Sequence, residues 1–184
     1  MIHSLLNEFA DLIAANQIEI YNEFSLQHEL GIFLREKLPN YKVQFERNTD
    51  FFSIRNTVKR EIDIVVYNNS ERYAIELKFP LNGMYPEQMF SFVKDICFME
   101  QLKLEGFTNT YCMTVVRERP FYAGTKQDGI YAFFRTNTPI TGTITKPTGS
   151  KHEAYTIQGT YPIHWKPCGK NTMYYVVDIK NDAQ

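Results

Sequence analysis

Two carboxylates and a lysine, Asp63, Glu76 and Lys78, are the side chains of this sequence whose types and spacing could do chemistry together. Ile62 to Tyr67 is rich in β-branched residues, Asn68-Asn69-Ser70-Glu71 is a turn cluster, and Arg72 to Phe79 is a second strand-like run. With the turn centred between Asn69 and Ser70, Asp63 falls opposite Glu76, and Glu61 opposite Lys78. Directly opposed side chains have Cβ atoms roughly 4.5–5.5 Å apart, so two carboxylates there repel unless a cation lies between them. Converging carboxylates with positions left open for water and phosphate oxygens suit a hard ion such as Mg²⁺, for which Mn²⁺ can substitute. Lys78, on the face of Glu76, is then placed to hold or polarise an attacking water or to stabilise a pentacovalent phosphate. The alternative for such a set is a solvated strand face with a surface Lys-Glu pair.

The elements that must position these groups follow from periodicity. Strict alternation places Ile62, Ile64, Val66, Tyr73, Ile75, Leu77 and Phe79 on one face of the hairpin. Glu61, Asp63, Val65, Tyr67, Arg72, Ala74, Glu76 and Lys78 fall on the other. Upstream, Asn22 to Leu38 reads as a helix with Ser25 as N-cap, an apolar stripe of Leu26, Leu30, Phe33, Leu34 and Leu38, and Pro39 as its stop. Glu29 falls within that stripe, which predicts a core-facing carboxylate in need of a partner; the alternative is an acid serving the helix N-terminus. Downstream, Pro86 to Glu105 is a long helical pattern closed by Gly106, and Thr110 to Val116 is a buried strand. Lys94, Asp95, Glu100 and Gln101 on that helix read as a polar outer face.

The acidic residue on one strand and the Glu76-Leu77-Lys78 triplet on the next resemble the PD-(D/E)xK nuclease superfamily. The resemblance covers about residues 20–118, with Ile62 where the motif has proline. It implies an α/β restriction-endonuclease-like core, a mixed central sheet flanked by helices, and cleavage of phosphodiester bonds with Mg²⁺. In that frame Asp63 and Glu76 are metal ligands and catalytic residues, Lys78 is the catalytic lysine, and Glu29 is a third, helix-borne metal ligand. Gln88 matches a glutamine of one exonuclease branch. That branch has a tyrosine four residues later, where Phe92 stands here, so Gln88 reads as a capping or solvent-facing residue.

The 184 residues, 43% of them hydrophobic, suffice for one domain with a real core. No apolar run approaches a membrane span, and Met1-Ile2-His3-Ser4 lacks a basic leader, so a cytoplasmic protein is expected. Cys97, Cys112 and Cys168 are odd in number and widely spaced, which argues for free thiols rather than a zinc knuckle. A net charge of −1 counts against holding a long duplex by charge alone. A local basic surface for nucleic acid is expected from Lys59, Arg60, Arg117 and Arg119, with Arg72 and Lys126 as further candidates.

Residues 119–184 change character. Gly129 to Arg135, Thr141 to Thr145, His152 to Gln158 and Met173 to Ile179 read as short strands between turns, an antiparallel, aromatic-rich extension of the core. Its aromatic residues, Trp165 among them, fit a core or a dimer surface better than a stack of bases. Residues 1–15 form an amphipathic helix with Ile2, Leu5, Leu6, Phe9 and Ile13 on one face, to pack on the core or on a second subunit of a homodimer. Two function classes are left: a Mg²⁺-dependent nuclease, expected to be a DNA endonuclease of restriction, recombination, repair or mobile-element type, and a catalytically silent nucleic-acid-binding or interaction protein of the same fold.

Overall fold

The Asn68–Glu71 turn sets the register of everything around it. In the computed structural model, which describes residues 1–149 and 152–179, the Asn68 side chain accepts the N–H groups of Ser70 and Glu71, and Asn68 N–H is donated to the Glu71 carbonyl. That closed turn joins β2 (Glu61–Tyr67) to β3 (Arg72–Lys78), with Tyr67 opposite Arg72 and Ile64 opposite Ile75. This is the register expected from the turn. The ladder stops there, one pair short of Asp63 and Glu76.

The two strands belong to a six-stranded mixed sheet. β1 (Lys42–Asn48) pairs antiparallel with β2, and β4 (Asn109–Val116) pairs parallel with β3. β7 (Lys166–Pro167) and β8 (Met173–Ile179) complete the order β1-β2-β3-β4-β8-β7. One face is covered by α1 (Ile2–Ala14) and α2 (Glu23–Lys37), whose Leu6, Phe9, Leu26, Leu30 and Leu34 pack on Ile64, Val66, Ile75 and Leu77. α2 comes close because residue 31 is glycine; a Cβ there would lie 2.1 Å from the Phe45 ring. On the opposite face lie α3 (Tyr85–Leu104) and the short α4 (Ile130–Arg135). α3 is in turn covered by a two-stranded sheet of β5 (Ile140–Thr145) and β6 (Ala154–Tyr161). The expected order of helix, three strands, helix and strand is present as α2-β1-β2-β3-α3-β4.

Several expectations need correction. Asn22, not Ser25, is the N-cap of α2; Ser25 sits three residues on, and the two side chains cap each other's backbone N–H reciprocally. Gly129 to Arg135 forms α4 instead of a strand, because Ile130 and Phe134, four apart, are both buried in the α3-side core while Gly129 supplies φ 56° at its start. Met173–Ile179 is not part of an appended sheet: β8 hydrogen-bonds to β4 inside the central sheet. The expected extension ran through residue 184; residues 150–151 and 180–184 lie outside the described residues. Of the four α3 residues expected on a polar outer face, Lys94 and Gln101 are half-buried and Asp95 and Glu100 are buried. Glu100 is buried and accepts the N–H groups of Gln158 and Gly159 and the Tyr161 hydroxyl, which fastens β6 to the helix. The apolar face of α1 is covered within the chain, and Tyr174 and Lys166 both donate to Asn7 on that helix. All three cysteines are buried and free. Among the described residues no helix is long and apolar enough to cross a membrane.

Candidate active site

Where the β2–β3 ladder ends, side chains take over its hydrogen bonds. Glu76 Oε1 accepts the Asp63 N–H at 3.2 Å, and Asp63 Oδ2 accepts the Leu77 N–H at 2.7 Å. The neighbouring β1–β2 ladder is interrupted at the same level. Phe45 pairs with Ile64 and Arg47 with Ile62, while Glu46, between them, holds φ 46° and makes no ladder pair with Asp63. A glutamate in that backbone region stores strain of order 1–3 kcal/mol, which clusters at functional sites. The interruption also breaks the alternation: Ile62 packs with Val65 and Ala74 on the α3 side, not with Ile64 and Val66 on the α2 side as expected.

Behind this gap lies a buried set of charges. The Lys59 ammonium is bonded to Glu76 Oε2 and lies 3.1 Å from Asp95 Oδ1; the Lys78 ammonium lies 3.2 Å from Asp95 Oδ2 and 3.7 Å from Glu23 Oε1. Glu76 and Asp95 are only 1% and 3% exposed. Four carboxylates, those of Asp63, Glu76, Asp95 and Glu23, thus face two ammonium groups. Burial pushes the Asp63 carboxyl up to about 6, against the pull of Lys59, Lys78 and the Leu77 amide. Burial also raises Glu76 well above the usual carboxylate range, helped by the negative charges of Asp63 and Asp95. For both lysines burial alone disfavours the charge, but the surrounding carboxylates outweigh it and both are held more firmly protonated than a free lysine.

On its open side Asp63 lines a cavity of about 290 Å³ shared with Glu23, Phe24 and Gln27 of α2, Glu46 of β1 and Leu77. Gln27, buried, donates through Nε2 to Glu46 Oε1 at 2.5 Å and to the Asp63 carbonyl at 2.8 Å. Glu23 Oε2 accepts the Phe79 N–H at 3.0 Å. Asp63 with the exposed acids Glu23 and Glu46 supplies the hard oxygen donors that Mg²⁺ or Mn²⁺ requires. Glu76 joins that donor set only when Lys59 leaves its carboxylate. Among the described residues no three His, Cys, Asp or Glu side chains are drawn together as a ready-made metal cage.

Glu29 is not where the sequence reading put it. Its side chain is 39% exposed, lies 3.8 Å from His28 Nδ1, and does not line the Asp63 cavity. On a helix of about 100° per residue, Glu29 falls roughly 85° off the centre of the Leu26-Leu30-Phe33-Leu34 stripe, while Glu23 is within about 35° of it. The helix-borne acid at the site is therefore Glu23. Asp95 and Glu46 were also missed. Asp95 could have been noticed as the one acid within the apolar run Phe92, Val93, Ile96, Cys97 and Phe98; Glu46 carries no such signal.

Of the basic residues expected to meet nucleic acid, Arg60, Arg117, Arg119 and Lys126 are exposed, and Lys59 and Arg72 are half-buried. Lys59 is in the charge cluster, Arg60 lies 3.5 Å from Asp50, and Arg117 donates to the Ile20 carbonyl and stacks on Phe79. Arg72 holds the carbonyls of Glu105 and Gly106, and Lys126 sits over the Tyr131 ring. Arg119 is exposed. Gln88 is half-buried, on the first turns of α3. Comparisons with protein-family models, with curated proteins and with solved structures find no match to this chain.

Proposed function

We propose that this chain is a metal-dependent nuclease of restriction-endonuclease-like fold, cutting phosphodiester bonds in DNA in the cytoplasm. One observation carries the reading: Asp63, Glu76 and Lys78 meet at the point where two central strands part, beside an open cavity rimmed by further carboxylates. A mixed sheet with α2 on one side and α3 on the other supports it. Asp63, Glu23 and Glu46 would hold the metal, with Glu76 joining them. The metal, when bound, lowers the pKa of water and offsets charge on the scissile phosphate.

The protein's own groups supply the rest. Lys78, kept charged by Asp95 and Glu23, stabilises negative charge that builds on the phosphate oxygens, and its position is fixed by those two partners. Asp63 accepts the Leu77 N–H through Oδ2, which fixes the carboxylate at the mouth of the cavity where it would hold the metal. Arg119, with Arg60 and Arg117, is exposed and able to contact backbone phosphate.

A second reading, a catalytically silent nucleic-acid-binding or interaction protein, is favoured by the Lys59–Glu76 pair, which satisfies the buried carboxylate without metal. Incubation with supercoiled, linear and single-stranded DNA and with RNA, with Mg²⁺, Mn²⁺ or chelator, separates the two. Cleavage that needs metal and is lost in Asp63→Asn supports the nuclease; nucleic-acid binding without cleavage under every condition supports the silent protein.

A further inference from the structure

Lys59 occupies a position that a metal ion could fill. Its ammonium bridges Glu76 and Asp95, two side chains that are 0% and 5% exposed, while the Lys59 side chain itself is 23% exposed and is the member of the bridge with a path to solvent. The two carboxylates are mounted on rigid elements, β3 and α3. Lys59 comes from the irregular segment 53–60 that leads into β2, anchored by Val58 N–H to Gln101 Oε1 at 2.8 Å and by Thr57 Oγ1 to the Lys59 carbonyl at 2.6 Å. Asp95 Oδ2 is buried, makes no hydrogen bond and has the Lys78 ammonium at 3.2 Å as its partner.

We propose that Glu76 and Asp95 form a cation site filled in the resting protein by the Lys59 side chain, which a divalent metal displaces. Charge counting favours the exchange. With Lys59 in place, four carboxylates, those of Asp63, Glu76, Asp95 and Glu23, face two ammonium groups; with a divalent ion in its stead and Lys78 retained, the excess negative charge is halved. Burying unbalanced charge is what the low-dielectric interior penalises. Exchange therefore lowers the excess negative charge of the cluster. It also brings Glu76, otherwise closed off, within reach of metal, and makes Asp95 a ligand although it lies outside the Asp63, Glu76, Lys78 set. The inference rests on the metal-dependent reading above. Its own content is that Lys59 and metal compete for one place.

The test is Mn²⁺ binding by calorimetry together with thermal melting, for the intact chain and for Lys59→Gln, Lys59→Arg and Asp95→Asn. Lys59→Gln should melt several degrees lower without metal, recover on adding Mn²⁺, and bind Mn²⁺ about tenfold more tightly than the parent, since the competing cation is gone. Asp95→Asn should bind Mn²⁺ about tenfold more weakly. If Lys59→Gln fails to fold without metal, Lys59→Arg keeps the charge in a larger, forked group and should bind Mn²⁺ more weakly than the parent. Equal Mn²⁺ affinity in the parent and the Lys59 variants would overturn the exchange while leaving the metal-dependent nuclease standing. No Mn²⁺ uptake by any of them at millimolar metal would overturn both.

Discussion

Asp63 and Glu76 each turn a carboxylate oxygen onto the other strand's backbone: Glu76 Oε1 takes the Asp63 N–H and Asp63 Oδ2 takes the Leu77 N–H. The two acids hold open the gap between their strands by replacing the ladder bonds that the gap removes. The cation that the opposed pair calls for is an internal one, Lys59, on Glu76. Both carboxylates are thus structural acceptors as well as chemical groups, and substitutions that keep an acceptor oxygen separate the two roles.

Asp63→Asn should stabilise the metal-free protein at neutral pH. The carboxyl is raised from 3.8 to about 6, so between those values the folded state holds a proton that the unfolded state has released. Stability from this group is therefore present below about 3.8 and is lost as pH rises through about 6, at a cost on the order of 2–3 kcal/mol when fully ionised. Melting curves should show the variant a few degrees above the parent at pH 7.5 and level with it at pH 4. A variant that melts lower at pH 7.5 would contradict the buried-charge account.

Lys78→Ala should lower cleavage by about two to three orders of magnitude with DNA affinity largely kept. Single-turnover cleavage and a binding titration, run on the same DNA, test this. Parallel loss of both would make Lys78 a phosphate anchor instead.

Glu29→Gln should be silent. The side chain is partly exposed and lies 3.8 Å from His28, so stability should change by less than about 0.5 kcal/mol, and Mn²⁺ affinity should be unchanged. Glu23→Gln and Glu46→Gln, which line the Asp63 cavity, should each weaken Mn²⁺ binding in calorimetry. The opposite pattern would restore Glu29 to the site.

Glu100→Ala should cost about 3 kcal/mol. It strips the N–H groups of Gln158 and Gly159 and the Tyr161 hydroxyl of their shared acceptor on buried Glu100. Chemical denaturation measures the loss, and faster amide exchange confined to β5 and β6 would locate it. An unchanged midpoint would mean that apolar packing alone holds that hairpin to α3.

The register that sets Ile64 opposite Ile75 and Tyr67 opposite Arg72 was legible in the sequence because a tight turn with its own side-chain caps fixes hairpin register over a few residues. The amphipathic stripe of α1 and the sequence of elements from α2 to β4 were legible for the same local reason. The acid of α2 at the site was legible in the helix face, since Glu23 lies nearer than Glu29 to the centre of the buried stripe; tertiary structure adds the close approach of Gly31 to Phe45. The failures begin where position depends on contacts far apart in the chain. Glu100 reads as solvent-facing because helical periodicity reports one buried face, while α3 is covered on a second side by β5 and β6; Asp95 is buried because Lys59 and Lys78 reach it from the sheet side. Lys59 reaches Glu76 only because the irregular segment before β2 folds across the gap. Local bonding rules determine register and helix faces; the meeting of Lys59, Glu76 and Asp95 is decided by tertiary packing, which brings charges from a loop, a strand and a helix into one dry space.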